Sequence, residues 1–446
     1  MTESASSAGP HVEQLVRADW TWVGGSLVRD VAVAIGRDGR IVDVRPAAGP
    51  PTLRLVGKAL VPGFVSAHSH AFQRGLRGST QRFAEGARGF FPWREAMYGL
   101  VERLTPELCY ELSKRTFAEL LIAGVTSVGE FHYVRHAGPI EDPESADGRY
   151  GLDAAVLAAA RDAGIRIALL PALYATGGFD RPLEGGQKRF RVADEREYWR
   201  RFDELAGLLE GGMQTLGACV HSVRAAPIEL LAAIHAESVR RGIVFHMHLE
   251  EVRREIEECR ALHRAAPSEL LLERLGDLGR TTLVHATHTD ATRLAALARC
   301  GATVCLCPIT EGDLGDGFCD VPAIVAAGGR MAIGSDCNVR IAPTEELRWL
   351  EYAQRLRGET RGVVRDGAGD SGAALLEIGT LRGAESLGVP AGSIERGRFA
   401  DLAIVDLNHP SMLGWSPDGF AAHLVFGTGT SAVCGTCVGG RWRMRR

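Results

Sequence analysis

The chain has 446 residues, a net charge of −4, and hydrophobic and charged fractions of 46% and 24%, the balance of a globular protein without a basic field for nucleic acid. Residues 1–10 are small, polar and acidic, unlike a secretory leader, and no apolar run approaches membrane-spanning length. Ten cysteines spread over this length make no dense disulfide framework, so the expected compartment is the cytoplasm.

Residues 12–60 hold short β-type runs at 19–23, 30–35 and 41–44, with Asp38-Gly39 as a hairpin signal. The C-terminal end has the same character over 397–406, 432–438 and 440–444. Two β-rich ends around a different middle predict a small β-sandwich built from both termini, residues 1–60 plus 391–446. Cys434-x-x-Cys437 has no second Cys or His pair nearby and reads as two packed thiols.

Over 61–390, apolar β-type segments alternate with helical patterns at 106–123, 152–163, 195–209, 227–241, 291–300 and 343–356. That alternation implies a parallel sheet. Candidate strands at 61–66, 125–131, 165–172, 214–220, 242–248, 281–286, 302–307 and 330–335 predict an α/β fold, a (β/α)8 TIM-like barrel with its active site at the C-terminal strand ends. Polar groups gather there: His68 and His70, Glu130 and His132, His221 and Arg224, His246 to Glu251, His285 and His288, Glu311, and Asp336. His235 and His263 fall inside helical patterns and read as partly exposed helix histidines.

The sharpest signal is the first strand, where a short apolar run broken by Pro62-Gly63 ends in His68-x-His70. Alternate residues of a strand share a face, so the two imidazoles can hold one side of a tetrahedral Zn²⁺. A catalytic zinc needs three or more protein ligands and one open position; a fifth-strand histidine, His246 or His248, and Asp336 complete the set. Glu251, just past that strand, is placed to shuttle a proton, with Glu250 its nearest competitor, and His285 to polarise a substrate or hold the incoming water. Lys58, Lys114 and Lys188 are the three lysines, none on the fourth strand, so a second metal bridged by a modified lysine is not expected. One divalent ion, Zn²⁺ foremost, is the expected cofactor.

Together, His68-x-His70, His248-x-x-Glu251, His285 and Gly334-Ser335-Asp336 resemble the amidohydrolase superfamily in its mononuclear deaminase branch. The resemblance extends to the N-formimino-L-glutamate deiminases through His68-Ser-His-Ala-Phe-Gln-Arg74, Trp93-Arg94, Gly129-Glu-Phe-His-Tyr-Val134, Val284-His-Ala-Thr-His288, Thr310-Glu311, Leu314-Gly-Asp-Gly317 and residues 345–352. It covers nearly the whole chain. It implies a barrel with a β-sandwich made from both ends, and metal ligands His68, His70, His248 and Asp336. Glu251, His285 and Asp336 would be catalytic, and Gln73, Arg94, Tyr133 and Arg224 would bind substrate. The implied reaction is hydrolysis of N-formimino-L-glutamate to N-formyl-L-glutamate and ammonia, a step of histidine degradation. Two arginines suit such a substrate, because guanidinium groups grip carboxylates through charge-assisted bonds.

Two departures stand beside the chemistry. Val252 follows Glu251 where the family usually has Gln, and Cys337-Asn338 follow Asp336 where it usually has Ser-His. They leave the ligands intact and open the substrate to question. Deamination of another small amidine, a guanidino acid or a nucleobase is the runner-up, and a non-catalytic metal-binding barrel the alternative of another class. The expected partner is a small molecule bearing carboxylates, with no nucleic acid and no membrane, and a homodimer is allowed as the assembly.

Overall fold

The structure, a computed structural model, describes residues 12–83, 90–137 and 151–445. Two sheets organise them. The first is mixed and eight-stranded, in the order Arg441–Met444, Val433–Val438, Leu402–Asp406, Leu53–Pro62, Val12–Val23, Val31–Gly36, Ile41–Pro46, with Ser26–Arg29 paired to Val12–Val23. The chain ends meet in it, as their matching patterns predict. Leu53–Pro62 runs parallel to Val12–Val23 on one side and antiparallel to Leu402–Asp406 on the other. The Asp38-Gly39 hairpin joins Val31–Gly36 to Ile41–Pro46, with Gly39 in the left-handed region at φ 75°.

The second sheet is parallel throughout and curls into the barrel: Phe64–Ser69, Val125–His132, Arg166–Leu173, Gln214–Leu216 continued by Ala218–Val220, Phe245–Leu249, Thr281–His285, Thr303–Leu306 and Arg330–Ile333. The first three of these strands are buried along their whole length. This explains their near-continuous apolar runs, because a parallel barrel covers both faces. The fourth strand breaks at Gly217, where a Cβ would stand 2.6 Å from the Leu170 and Val244 side chains. The fifth begins at Phe245, three residues later than the apolar pattern suggests.

The barrel closes at its C-terminal rim. Ser69 bridges Asp336, the amides of Ser335 and Asp336 reach His68 O at 3.0 and 3.1 Å, and His70 N donates to Asp336 O at 2.8 Å. The other end is plugged by the segment after Gly383, whose Ala384, Leu387 and Val389 pack on Val65 and Ala168.

The six helical patterns form helices at Pro106–Ile122, Gly151–Ala163, Glu195–Ala206, Ile228–Arg241, Ala291–Arg299 and Pro343–Gly358. Local chemistry sets their ends: Thr105 Oγ1 accepts from Leu108 N at 3.2 Å, and Asp194 Oδ1 from Glu197 N at 2.8 Å. Arg253–His263 is a helix that the hydrophobic pattern does not announce, because it buries only Glu255 and Cys259. His235 is a correction: it is buried rather than partly exposed, with Nε2 3.0 Å from Thr281 Oγ1. His263 is exposed against Phe179, and all ten cysteines are free, Cys434 and Cys437 packing in the strand Val433–Val438. Among the described residues no helix is long and apolar enough to cross a membrane.

Barrel and terminal sheet are joined by a fully buried ion pair. Arg166 Nε and Nη2, on the third barrel strand, donate to Asp401 Oδ2 and Oδ1 at 2.6 and 3.0 Å, while Gly439 N donates to Asp401 Oδ1 at 2.8 Å. The Arg166 guanidinium also lies over the Phe399 ring, 3.6 Å from its centroid. Removing one member leaves the other charge buried and uncompensated, which costs about 3–5 kcal/mol. Asp401→Asn should therefore lower the chemical-denaturation midpoint markedly while metal content of the folded fraction stays normal; an unchanged midpoint would show that the pair does not hold the two sheets together.

Candidate active site

Inward-pointing residues at the C-terminal strand ends converge on one point. His68 and His70 come from the first strand, His248 from the fifth, His285 from the sixth, and Asp336 follows the eighth. The Nε2 atoms of His68, His70 and His248 lie 3.1, 3.4 and 3.2 Å from one another, and Asp336 Oδ1 is 3.4 Å from both His68 and His70 Nε2. Ligands about 2.0–2.1 Å from a tetrahedral centre are separated by about 3.3 Å, so these spacings match one metal ion.

Hydrogen bonding fixes the donor character of two of these rings. His70 Nδ1 faces Phe131 O at 2.7 Å and His248 Nδ1 faces His221 O at 2.9 Å, so each carries its hydrogen on Nδ1 and turns a lone pair inward. Burial pushes His68 down to about 3 and holds His70 and His248 below the ordinary histidine range, keeping all three neutral. Burial works against the Asp336 carboxylate, yet its hydrogen-bonding contact with His68 and the positive charge of His285 hold it below the usual range. Neutral imidazoles and an ionised carboxylate are the forms a divalent cation needs. Lone pairs crowded this closely repel one another, and a cation at their centre reverses the sign. The residues fit the metal.

His246 shares the inward face of the fifth strand but lies one layer deeper, with Nε2 2.9 Å from Ser386 O in the plugged end. Of the two histidines left open by that strand, His248 is the one in the cluster. Glu250 and Glu251 separate as clearly. Glu250 accepts from Ser268 N at 2.9 Å, fastening the helix Pro267–Arg274, and does not line the cavity. Glu251 lines it, with Oε1 3.7 Å from His285 Nε2. Burial raises the Glu251 carboxyl above its ordinary range, partly offset by the positive charges of His285 and Arg224.

His285 behaves oppositely to the three clustered histidines. Burial disfavours its cation, but Glu251, the bond to Glu311 and Asp336 together hold it well above its ordinary range. Its Nε2 is 3.8 Å from Asp336 Oδ2 and its Nδ1 is 3.2 Å from Glu311 Oε1, which also accepts from Cys307 N at 2.9 Å. Glu311 thus orients His285; sequence reasoning quoted Thr310-Glu311 in the resemblance without giving it this task. The rim pays a conformational cost: Glu250, His285, Ala286, Asp336 and Asn338 all have positive φ, between 42 and 70°. Non-glycine residues there are strained by about 1 kcal/mol or more each, and such strain gathers at functional sites.

Above the cluster is a cavity of about 480 Å³. His70, Gln73, Arg94, Tyr133, Arg224, His248, Glu251, His285 and Asp336, all singled out from the sequence, line it; His68 is buried beneath. Gln73 Nε2 donates to Tyr133 Oη at 2.7 Å, and Gln73 Oε1 is buried with no hydrogen-bond partner among the described residues. Arg224 Nε stands 3.9 Å from Glu255 Oε1; burial opposes its charge, but Tyr174, Glu255 and Glu251 keep it firmly cationic. Sequence reasoning missed Tyr98, Tyr174 and Phe190, which complete the wall. Tyr174 directly follows the third strand, whose end carries no metal-type residue and so gave no signal. The departures lie on one side: Cys337 lines the cavity and packs with Phe90 and Leu314, and Val252 packs on the same cluster. Asn338 is turned away, donating to Ser69 Oγ at 3.1 Å and to Asp336 O at 2.8 Å.

The ligand assignment has a direct consequence. His248→Ala should strip most of the metal by elemental analysis, whereas His246→Ala should keep it and lose only stability; the reverse pattern would displace His248 from the set.

Similarity to known proteins agrees with this geometry. The chain is 38% identical over 424 residues to formimidoylglutamate deiminase from Pseudomonas aeruginosa, covering 94% of this chain and 91% of that one. It is 30% identical over 399 residues to 5-methylthioadenosine/S-adenosylhomocysteine deaminase from Natronomonas pharaonis, covering 88% and 83%. The crystal structure of an amidohydrolase from Brucella melitensis superposes with a TM-score of 0.87 at 32% identity, over 97% of this chain and 95% of that one. The profile of the amidohydrolase family matches residues 59–443, and the chain belongs to that family.

Proposed function

We propose that the protein is a metal-dependent deiminase that converts N-formimino-L-glutamate and water to N-formyl-L-glutamate and ammonia. The observation that carries this reading is that one cavity combines the His68, His70, His248 and Asp336 cluster, the Glu251–His285 pair and two arginines, Arg94 and Arg224. Similarity to the Pseudomonas aeruginosa formimidoylglutamate deiminase supports the same substrate. A divalent ion held by the four ligands, Zn²⁺ first among candidates, supplies Lewis-acid chemistry that makes water a nucleophile near neutral pH.

The chain's own residues do the rest. Arg94 and Arg224 bind the two carboxylates, and Tyr133, held neutral by burial, donates a hydrogen bond to one of them. The unpartnered Gln73 Oε1 accepts from a substrate N–H. With the chain so held, the formimino carbon lies over the cluster. Asp336 accepts the first proton of the attacking water, and the cationic His285 beside it stabilises the oxygen that forms the new C–O bond. Glu251, whose raised affinity for protons suits the task, delivers protons to the nitrogen. Both protons of the water end on that nitrogen, the C–N bond breaks, and ammonia leaves the N-formyl product.

One observation favours a second reading. Phe90, Trp93, Tyr98, Tyr133, Tyr174 and Phe190 give the cavity an aromatic lining on which a nucleobase would stack. An ammonia-release screen separates the two, comparing formimino-glutamate with formimino-aspartate, guanidino acids and guanine. Formimino-glutamate should be the best substrate, and Arg94→Met or Arg224→Met should lower its kcat/KM by about ten- to a hundred-fold, the worth of a charged hydrogen bond, with metal content unchanged. Preference for guanine, undisturbed by either substitution, would refute the dicarboxylate reading.

The shuttle has its own test. Glu251→Gln should retain metal and lose at least about 10²-fold in kcat, the usual weight of general acid–base catalysis. Glu250→Gln should cost mainly stability, because Glu250 holds Ser268 N. Near-normal turnover by Glu251→Gln would assign proton transfer elsewhere.

A further inference from the structure

A second cavity of about 430 Å³ shares three walls with the first, Phe90, Arg94 and Arg224. Its remaining cations among the described residues are Arg181 and Arg254, on the turn after the third strand and in the first turn of the helix Arg253–His263. Both donate to one oxygen, Glu258 Oε1, at 2.6 and 2.7 Å. Among the described residues of this lining, four arginines face two glutamates, Glu255 and Glu258. Exposure falls along the row: the Arg181 and Arg254 side chains are 52% and 48% exposed, that of Arg224 13%. The cations therefore lead from solvent to the buried arginine of the reaction cavity.

The outer wall is rigidly built. Gly177 N donates to Arg181 O at 2.8 Å, and a Cβ on Gly177 would stand 2.1 Å from Pro182 O, so the turn requires glycine. Gln187 Nε2 donates to both Gly177 O and Tyr98 Oη, at 3.1 and 3.0 Å, tying the turn to a wall of the inner cavity. Burial raises Glu255 to about 7, so part of its negative charge is lost near neutrality.

We propose that the outer cavity is a carboxylate-binding subsite, in which Arg181 and Arg254 take a carboxylate of an incoming dicarboxylate and pass it to Arg94 and Arg224. This rests on the formimino-glutamate reading and deepens it. Glu258 sets the strength of the subsite, because it holds the two guanidinium groups together while cancelling one of their charges. Attraction of this kind is screened once salt shortens the Debye length well below about 10 Å.

The test uses the metal-loaded enzyme, with glutarate as a non-reacting dicarboxylate probe and formimino-glutamate as substrate, at low and high salt. R181M/R254M should weaken glutarate binding by calorimetry about five- to twenty-fold at low salt, raise KM by a similar factor and leave kcat within twofold. At high salt the gap to wild type should shrink. E258Q should shift affinity the other way, tightening glutarate at low salt; a merely structural cluster would weaken binding in both variants. Unchanged glutarate affinity and salt dependence in R181M/R254M, with normal turnover of formimino-glutamate, overturns the subsite alone. Glutarate bound by wild type and weakened in R181M/R254M, but without turnover of formimino-glutamate, keeps the subsite and overturns the substrate. Failure of wild type to bind glutarate overturns both.

Discussion

Three imidazole nitrogens and a carboxylate oxygen sit within 3.4 Å contacts in a fully buried pocket. This crowding of lone pairs is the constraint to which the rest of the molecule answers. It explains why backbone carbonyls of Phe131 and His221 pin the far sides of two rings, since a ring free to turn would relax away from its neighbours. It also explains why Asp336 belongs to the seam of the barrel: the bridge to Ser69 holds the carboxylate against the histidines it would otherwise leave only by opening the sheet. Ligand geometry and barrel closure are a single arrangement.

The division between neutral and charged histidines follows from the same pocket. His68, His70 and His248 have one nearby carboxylate to share, so burial keeps them neutral. His285 has Glu251, Glu311 and Asp336 around it and becomes the cation of the site. The same residue type is thus neutral or charged, according to how many carboxylates the strand ends place beside it.

Much of this was legible in the sequence because barrels write their function at fixed places. Buried parallel strands read as apolar runs, and the residues that end them converge in one cluster; His68, His70, His285 and Asp336 were visible on that ground. The choice between His246 and His248 was not, since both share a strand face, and only the depth of each in the barrel separates them. Glu250 and Glu251 differ by a backbone turn at φ 48° that no composition rule predicts. Tyr174 and Phe190 are not metal-type residues, and Glu255 lies in a helix without an apolar stripe, so their contribution depends on three-dimensional convergence alone. His235 was misread because a helix face turned to the barrel buries polar residues that find a partner, here Thr281.

The terminal sheet places Leu53–Pro62, which leads straight into the first barrel strand, between a strand from the start of the chain and one from near its end. During vectorial synthesis the N-terminal neighbour is available at once, but Leu402–Asp406 emerges some 340 residues later. Until then one edge of this strand offers unpaired amides and carbonyls, and Arg166 waits for Asp401 inside a half-built core. A growing chain with such an open edge is a substrate for chaperones and a hazard for aggregation. Completion of both the sheet and the buried ion pair thus waits on the last tenth of the chain, after all four residues of the His68, His70, His248 and Asp336 cluster have been made.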